Sequence, residues 1–269
     1  MRVYQQYFFC YDCIMSNFDK ELKAAINIAK EAGAVMLKYF DIDQQVEIKK
    51  DNTQVTIADK LINSLVIERL SKIFSSDGVI GEEESNTDYG GGRKWFCDPI
   101  DGTAAYVWGV PTAMFSLGLV IDGKPVMGVA YDPFLNRMYR GKVGEKSFCN
   151  DKILSVSNSD LKSGIVAVSG GVKSLLKTKY FQRMIDDKIR FACFSGAVYK
   201  CCLVARGRFV GYVEDGVRAH DLAAVHSILE GAGAKITSIN GKELDYSKPF
   251  RGAIASNKIV HDQILKYCS

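Results

Sequence analysis

The sequence predicts a mixed α+β / α/β protein made of two intimately packed halves, and three observations carry that reading. The N-terminal part opens with two long stretches whose apolar residues recur at helical spacing. A run of strand-like segments follows, with Asp122-Gly123 set between two apolar stretches as a hairpin turn. After about residue 155, short apolar runs alternate with helical ones, the pattern of an α/β half.

Over 19–40, Leu22, Ile26, Ala29, Gly33, Met36, Leu37 and Phe40 fall on one helical face. Ile62, Leu65, Val66, Leu70 and Ile73 do the same over 59–74. Strands are expected at 95–97, 114–121, 125–131 and 137–140, with a further turn and strand within 141–150. The second half reads as strand 165–168, helix 173–187, strand 190–194, helix 197–206, strand 209–213 and helix 221–231. A strand at 253–255 and a helix at 258–267 close it. No internal repeat, low-complexity tract or linker interrupts the chain.

The halves are expected at 15–155 and 156–269. Ahead of them, 1–14 is rich in aromatic residues but lacks the apolar core and small-residue cleavage site of a secretion signal. Met15, followed by Ser16-Asn17-Phe18-Asp19, is the expected start, and 1–14 an extension without catalytic role. At 269 residues the chain can bury a sizeable core. Its net charge of +4 comes from scattered basic residues, which argues against a nucleic-acid stripe. The eight cysteines sit mostly in apolar segments and read as small core residues of a reducing, cytoplasmic setting. Cys10-x-x-Cys13 has no second Cys/His pair nearby and reads as chance. No apolar run is long enough to span a bilayer.

The densest chemistry lies in Asp98-Pro99-Ile100-Asp101-Gly102-Thr103. Two carboxylates stand beside a stiff proline and a bare glycine. Hard oxygen ligands for a divalent cation thus lie next to backbone N–H groups suited to a phosphate. Three other carboxylate-bearing segments flank it: Thr56-Ile57-Ala58-Asp59, Gly81-Glu82-Glu83 and His220-Asp221. Each stands at an expected strand end or helix start. Taken singly, Asp59, Thr103 and Asp221 could be helix caps and nothing more.

In this order the four segments resemble the inositol monophosphatase family, over roughly 17–257. The resemblance implies a layered αβαβα sandwich with the site between the halves, and a lithium-sensitive, Mg²⁺-dependent phosphate monoesterase using two or three ions. It implies that Glu82 and Asp98 share a first ion with the Ile100 carbonyl. Asp98, Asp101 and Asp221 would hold a second, and a weaker third would lie near Glu82. Asp59, Glu82 and Thr103 would be the catalytic set that activates the attacking water. Gly102, Thr103 and Ala104 would bind the phosphate, and Ala197, Glu214 and Asp221 the rest of the substrate.

The chain departs from the family pattern at Ala104-Ala105, Arg218 and His220. These changes spare the acids but alter the pocket rim. They leave open inositol monophosphate, histidinol phosphate and a 3′(2′),5′-bisphosphate nucleotide. Lys200 is left facing either a second phosphate or solvent, and His220 is expected to pack against substrate. The expected partner is a small phosphorylated substrate, with no nucleic acid and no membrane, and a homodimer is compatible with the resemblance. A binding protein on a phosphatase scaffold is the non-enzyme alternative. Clustered like charges that repel one another without a metal argue against it.

Overall fold

Two helices cover one face of the first sheet. α1 (Asp19–Tyr39) buries Ala25, Ile28, Ala29, Ala32 and Met36. A hairpin of two-residue strands follows, β1 (Glu47–Ile48) and β2 (Gln54–Val55), and leads into α2 (Ile57–Ile73). Thr56 caps α2: its side chain accepts from the Asp59 N–H, while the Asp59 carboxylate accepts from the Thr56 N–H. Ile28, Ile62 and Leu70 are almost wholly buried. Each such side chain contributes about 1.5–3 kcal/mol. The structure is a computed structural model and describes residues 18–42, 44–50, 52–170 and 175–269. The expectations about 1–14, Met15, Cys10 and Cys13 lie outside the described residues.

The first sheet has seven strands in chain order. They are β3 (Gly78–Gly81), β4 (Arg93–Asp101), β5 (Met114–Ile121), β6 (Lys124–Asp132), β7 (Arg137–Lys142), β8 (Phe148–Cys149) and β9 (Lys152–Ile153). A short helix α3 (Thr103–Val107) follows β4. β3 and β4 are parallel, and the later pairs antiparallel. The β5–β6 turn holds Asp122 at φ 47° and Gly123 at φ 76°, the left-handed pair that a two-residue hairpin needs.

The second sheet contains β10 (Ile165–Val168), β11 (Arg190–Cys193), β12 (Gly211–Glu214), β13 (Ala234–Ser238) and β14 (Ala253–Asn257), in the order β11-β10-β12-β14-β13. The first three run parallel and the last two join antiparallel. Its helices are α4 (Lys179–Asp186), α5 (Ala197–Ala205), α6 (Ala219–Gly231) and α7 (His261–Cys268). Of the expected helix 173–187, positions 173 and 174 lie outside the described residues, and α4 starts only at Lys179, after Thr178 in an extended conformation.

α5 and α6 form the middle layer, touching β4 and β5 on one side and the second sheet on the other. α6 lies so close to the first sheet that a Cβ at Gly118 or Gly128 would run into the backbone of Ala223 and Ala224. α1 and α2 cover the far side of the first sheet, and α4 and α7 pair beside β12 and β14. The layers are therefore α, β, α, β, α, as the resemblance implies. Among the described residues no helix is long and apolar enough to cross a membrane.

Candidate active site

In a regular strand, residues three apart point to opposite faces. β4 breaks that rule at its end. Asp98 lies opposite Ser116 and Asp101 opposite Met114, so three steps on β4 face two on β5. The extra residue is a bulge, and Pro99, which has no N–H to give the ladder, falls within it. With Asp221 from the first turn of α6, the carboxylates of Asp98 and Asp101 form a group whose ligand atoms all lie within 4.8 Å of one another.

Each carboxylate is held differently. Asp101 accepts the Ala197 N–H at 2.7 Å, the Val198 N–H at 2.9 Å and the Tyr199 N–H at 3.3 Å. These are the first N–H groups of α5, where the helix dipole favours an anion. Asp221 accepts the Arg218 N–H at 2.6 Å, completing the entry to α6. Oδ1 of Asp98 is buried and has no hydrogen-bond partner among the described residues. Gly102 takes φ 84°, and a Cβ there would come within 3.1 Å of the Gly196 Cα. Two bare glycines thus let the loop after β4 pass the loop before α5.

The Thr103 hydroxyl donates to the Ile100 carbonyl at 3.0 Å and lies 3.5 Å from Asp59 Oδ1. Asp59 Oδ2 accepts from the Thr56 hydroxyl at 2.6 Å and the Thr56 N–H at 2.7 Å. Asp59 therefore both closes the start of α2 and reaches Thr103. Glu82, at the end of β3, does not join the three-carboxylate group. It pairs instead with Lys49 at 3.1 Å, and the same ammonium meets Glu83 at 2.6 Å. Lys49 directly follows β1, so the hairpin brings a cation over the acids. Burial lowers its pKa, but Glu82 and Glu83 outweigh that and leave it raised.

Burial dominates the acid chemistry. It pushes Asp59 up to about 7, against the pull of the Thr56 hydrogen bonds. Burial raises Asp101 to about 8, and the charge of Asp221 adds to it. Asp221 rises to about 7 by burial, partly offset by the Arg218 N–H. Asp98 stands well above the usual carboxylate range, first from burial and then from Glu82, Asp101, Asp221 and Asp59. Protons or a cation must balance such a group.

A cavity of about 800 Å³ opens over these acids. Of the expected residues, Glu82, Asp101 and Asp221 line it together with Glu214. Gly102, Thr103, Ala104 and Ala197 form another part of the wall. Asp59, Asp98 and Ile100 lie behind the wall, buried. Lys200 is wholly buried and does not line the cavity, so it faces neither solvent nor ligand space there. His220 is also outside the lining, with Nε2 3.6 Å from Asp221 Oδ1, and burial lowers its pKa.

Sequence reading missed Ile48, Gln54 and the exposed Trp108 on the cavity wall. It also gave Lys49 no role. Two-residue strands carry no periodicity, and the only cue to the hairpin was the basic, polar Lys49-to-Thr53 stretch itself.

Comparison with known proteins supplies the family. The sequence pattern described as the inositol monophosphatase family matches residues 17–269. A protein named Nus factor SuhB from Pasteurella multocida is 33% identical over 82% of this chain and 85% of its own length. A histidinol-phosphatase from Mycobacterium tuberculosis is 32% identical over 91% of this chain and 96% of its own. An IMPase structure from Thermotoga maritima superposes with a TM-score of 0.84 at 26% identity, covering 93% of this chain and 96% of that one. With the family match and the relatives in agreement, the chain belongs to the inositol monophosphatase family and is a phosphoric monoester hydrolase.

Proposed function

We propose that the chain hydrolyses a small phosphate monoester with Mg²⁺ held by Asp98, Asp101 and Asp221, and with Glu82 and the Ile100 carbonyl completing the ligands. The observation that carries this reading is the convergence of three carboxylates within 4.8 Å of one another. The donors fit a hard divalent cation: all are oxygens, and the buried Asp98 Oδ1 has no other partner among the described residues. Mg²⁺ as the ion, two or three as the count, and lithium sensitivity are parts of this proposal. When bound, the ion supplies neutralisation of phosphate charge and acidification of a water.

The protein's own groups do the rest. Gly102, Thr103 and Ala104 offer backbone N–H groups to the phosphate, and Gly102 has no Cβ to keep it away. Thr103 orients the attacking water and passes a proton toward Asp59, whose pKa of about 7 suits it to accept one near neutrality. Glu82 joins the catalytic set when its pairing with Lys49 opens. Glu214 accepts a hydrogen bond from a hydroxyl or amine of the substrate, with Ala197 and Asp221 beside it. The sequence carries no Asp, Ser or Cys nucleophile motif, and in this reading water attacks directly and phosphorus inverts.

Inositol monophosphate is the first choice of substrate. Histidinol phosphate is the second, supported by the 32% identity to the Mycobacterium histidinol-phosphatase. The buried Lys200 lends no support to a second phosphate in the cavity. A homodimer, a cytoplasmic location and a boundary between halves near residue 155 belong to the proposal by family likeness.

The test is phosphate release from inositol 1-phosphate, histidinol phosphate, 3′-phosphoadenosine 5′-phosphate and fructose 1,6-bisphosphate, with Mg²⁺ and with EDTA. Mg²⁺-dependent turnover that EDTA abolishes supports the reading, and the best compound selects the substrate. Turnover that persists in EDTA contradicts the metal assignment.

A further inference from the structure

Lys200 on α5 is the only lysine or arginine that is fully buried among the described residues. An ammonium in such a place is costly unless it is paired. Its partners lie at the ends of three neighbouring strands. The Val168 carbonyl, at the end of β10, is 3.5 Å away. The Phe194 carbonyl, just past β11, accepts at 3.1 Å. Glu214 Oε2, at the end of β12, is 3.5 Å away. The rings of Tyr212 and Phe194 lie 5.3 and 5.8 Å from the ammonium and stabilise it further.

These strands are parallel neighbours, and ligands of such sheets gather beyond the carboxyl ends of the strands. Ser169, Phe194 and Glu214 all line the cavity, while Lys200 sits beneath them without lining it. Glu214 is the pivot. Its Oε2 accepts the Tyr212 hydroxyl at 2.7 Å and faces Lys200. Its Oε1 lies toward the cavity residue Gly216, where an added Cβ would meet it at 3.7 Å.

We propose that Lys200 is a positioning residue for substrate selection: it engages Glu214 from behind, so that the other carboxylate oxygen is presented to a hydroxyl or ammonium donor on the alcohol part of the substrate. This rests on the reading of Glu214 as a substrate acceptor. A lysine that merely ties strand ends together would affect every substrate alike. A lysine that aims Glu214 affects only substrates with a donor to meet it.

The experiment measures KM and kcat for Lys200→Met, Glu214→Gln and the double variant. The substrates are inositol 1-phosphate and histidinol phosphate, which carry donors, and phenyl phosphate, which carries none. Lys200→Met should raise KM for the better donor substrate by about tenfold, the scale of a charge-assisted hydrogen bond, and change phenyl phosphate by less than about twofold. In the Glu214→Gln background it should add nothing, since the two residues act as one unit. Lys200→Gln, which keeps donors for the two carbonyls, should show the same split and serves if Lys200→Met does not fold. Equal loss on all three substrates, or no change on any, overturns the proposal while leaving the Glu214 reading intact. If Glu214→Gln alone shows no selectivity, the Glu214 reading fails and this proposal falls with it.

Discussion

The two flanks of the acid cluster are held by different kinds of donor. On one flank, Asp101 and Asp221 are gripped by backbone N–H groups at the starts of α5 and α6. On the other, Glu82 and Glu83 are gripped by the side chain of Lys49, which follows a strand of only two residues. Backbone donors belong to the fold and cannot leave without unwinding a helix. A lysine side chain has many rotamers, and here it is about one-fifth exposed. The first flank is therefore set before any ligand arrives, and the second is exchangeable. Asp98 stands between them with an oxygen that no described residue holds.

The largest effect is expected on the fixed flank. Asp221→Asn should cut Mg²⁺-dependent phosphate release by about a thousandfold or more, because a metal contributes several kcal/mol of charge stabilisation. A loss of tenfold or less would show that this flank is not a metal ligand. Next comes Thr103→Ala, which should lower kcat by about 10²–10⁴-fold, the range of acid–base assistance, with little change in KM. A change confined to KM would remove Thr103 from the proton path.

The same comparison shows how far the sequence could be read. α1 and α2 were legible because long amphipathic stretches repeat a period, and β5 and β10 fell at their expected bounds. β1, β2, β8 and β9 have two residues each, too few for any period to show. β13 follows Gly233 and has buried residues next to each other at Ile236 and Thr237, so clean alternation was absent. At the site, the acids were legible as residue types in order. Their grouping was not, because it depends on a bulge at Pro99 and on donors from α5, 96 positions or more along the chain. Lys49 was invisible for the same reason: its partners, Glu82 and Glu83, lie just past β3, and pairing is a property of the fold.

A third prediction concerns pH. Asp59, Asp101 and Asp221 keep their protons to about 7, 8 and 7 in the folded chain, first because they are buried. The unfolded chain releases them near pH 4. Between about pH 4 and 8 the folded state thus binds more protons than the unfolded one, so stability falls as pH rises through that window. In EDTA the melting temperature should drop between pH 5 and 8, and excess Mg²⁺ should restore most of it. A flat melting temperature in EDTA would mean that these acids are not buried together. The smallest effect is expected on the exchangeable flank. Lys49→Met should lower the half-saturating Mg²⁺ concentration by up to about fivefold, since part-exposed ion pairs contribute under about 1 kcal/mol. A rise would mean that Lys49 helps to assemble the site rather than competing for it.

Asp98→Asn tests the central claim most directly. Asp101 and Asp221 also shape helix entries, so their loss mixes structure with chemistry. Asp98 Oδ1 has no partner among the described residues, and the substitution keeps its size. Phosphate release from inositol 1-phosphate would be followed across a Mg²⁺ titration, with circular dichroism to report the fold. The account predicts a folded protein with no turnover at any Mg²⁺ concentration. A folded Asp98→Asn protein that regains full turnover at saturating Mg²⁺ would contradict it.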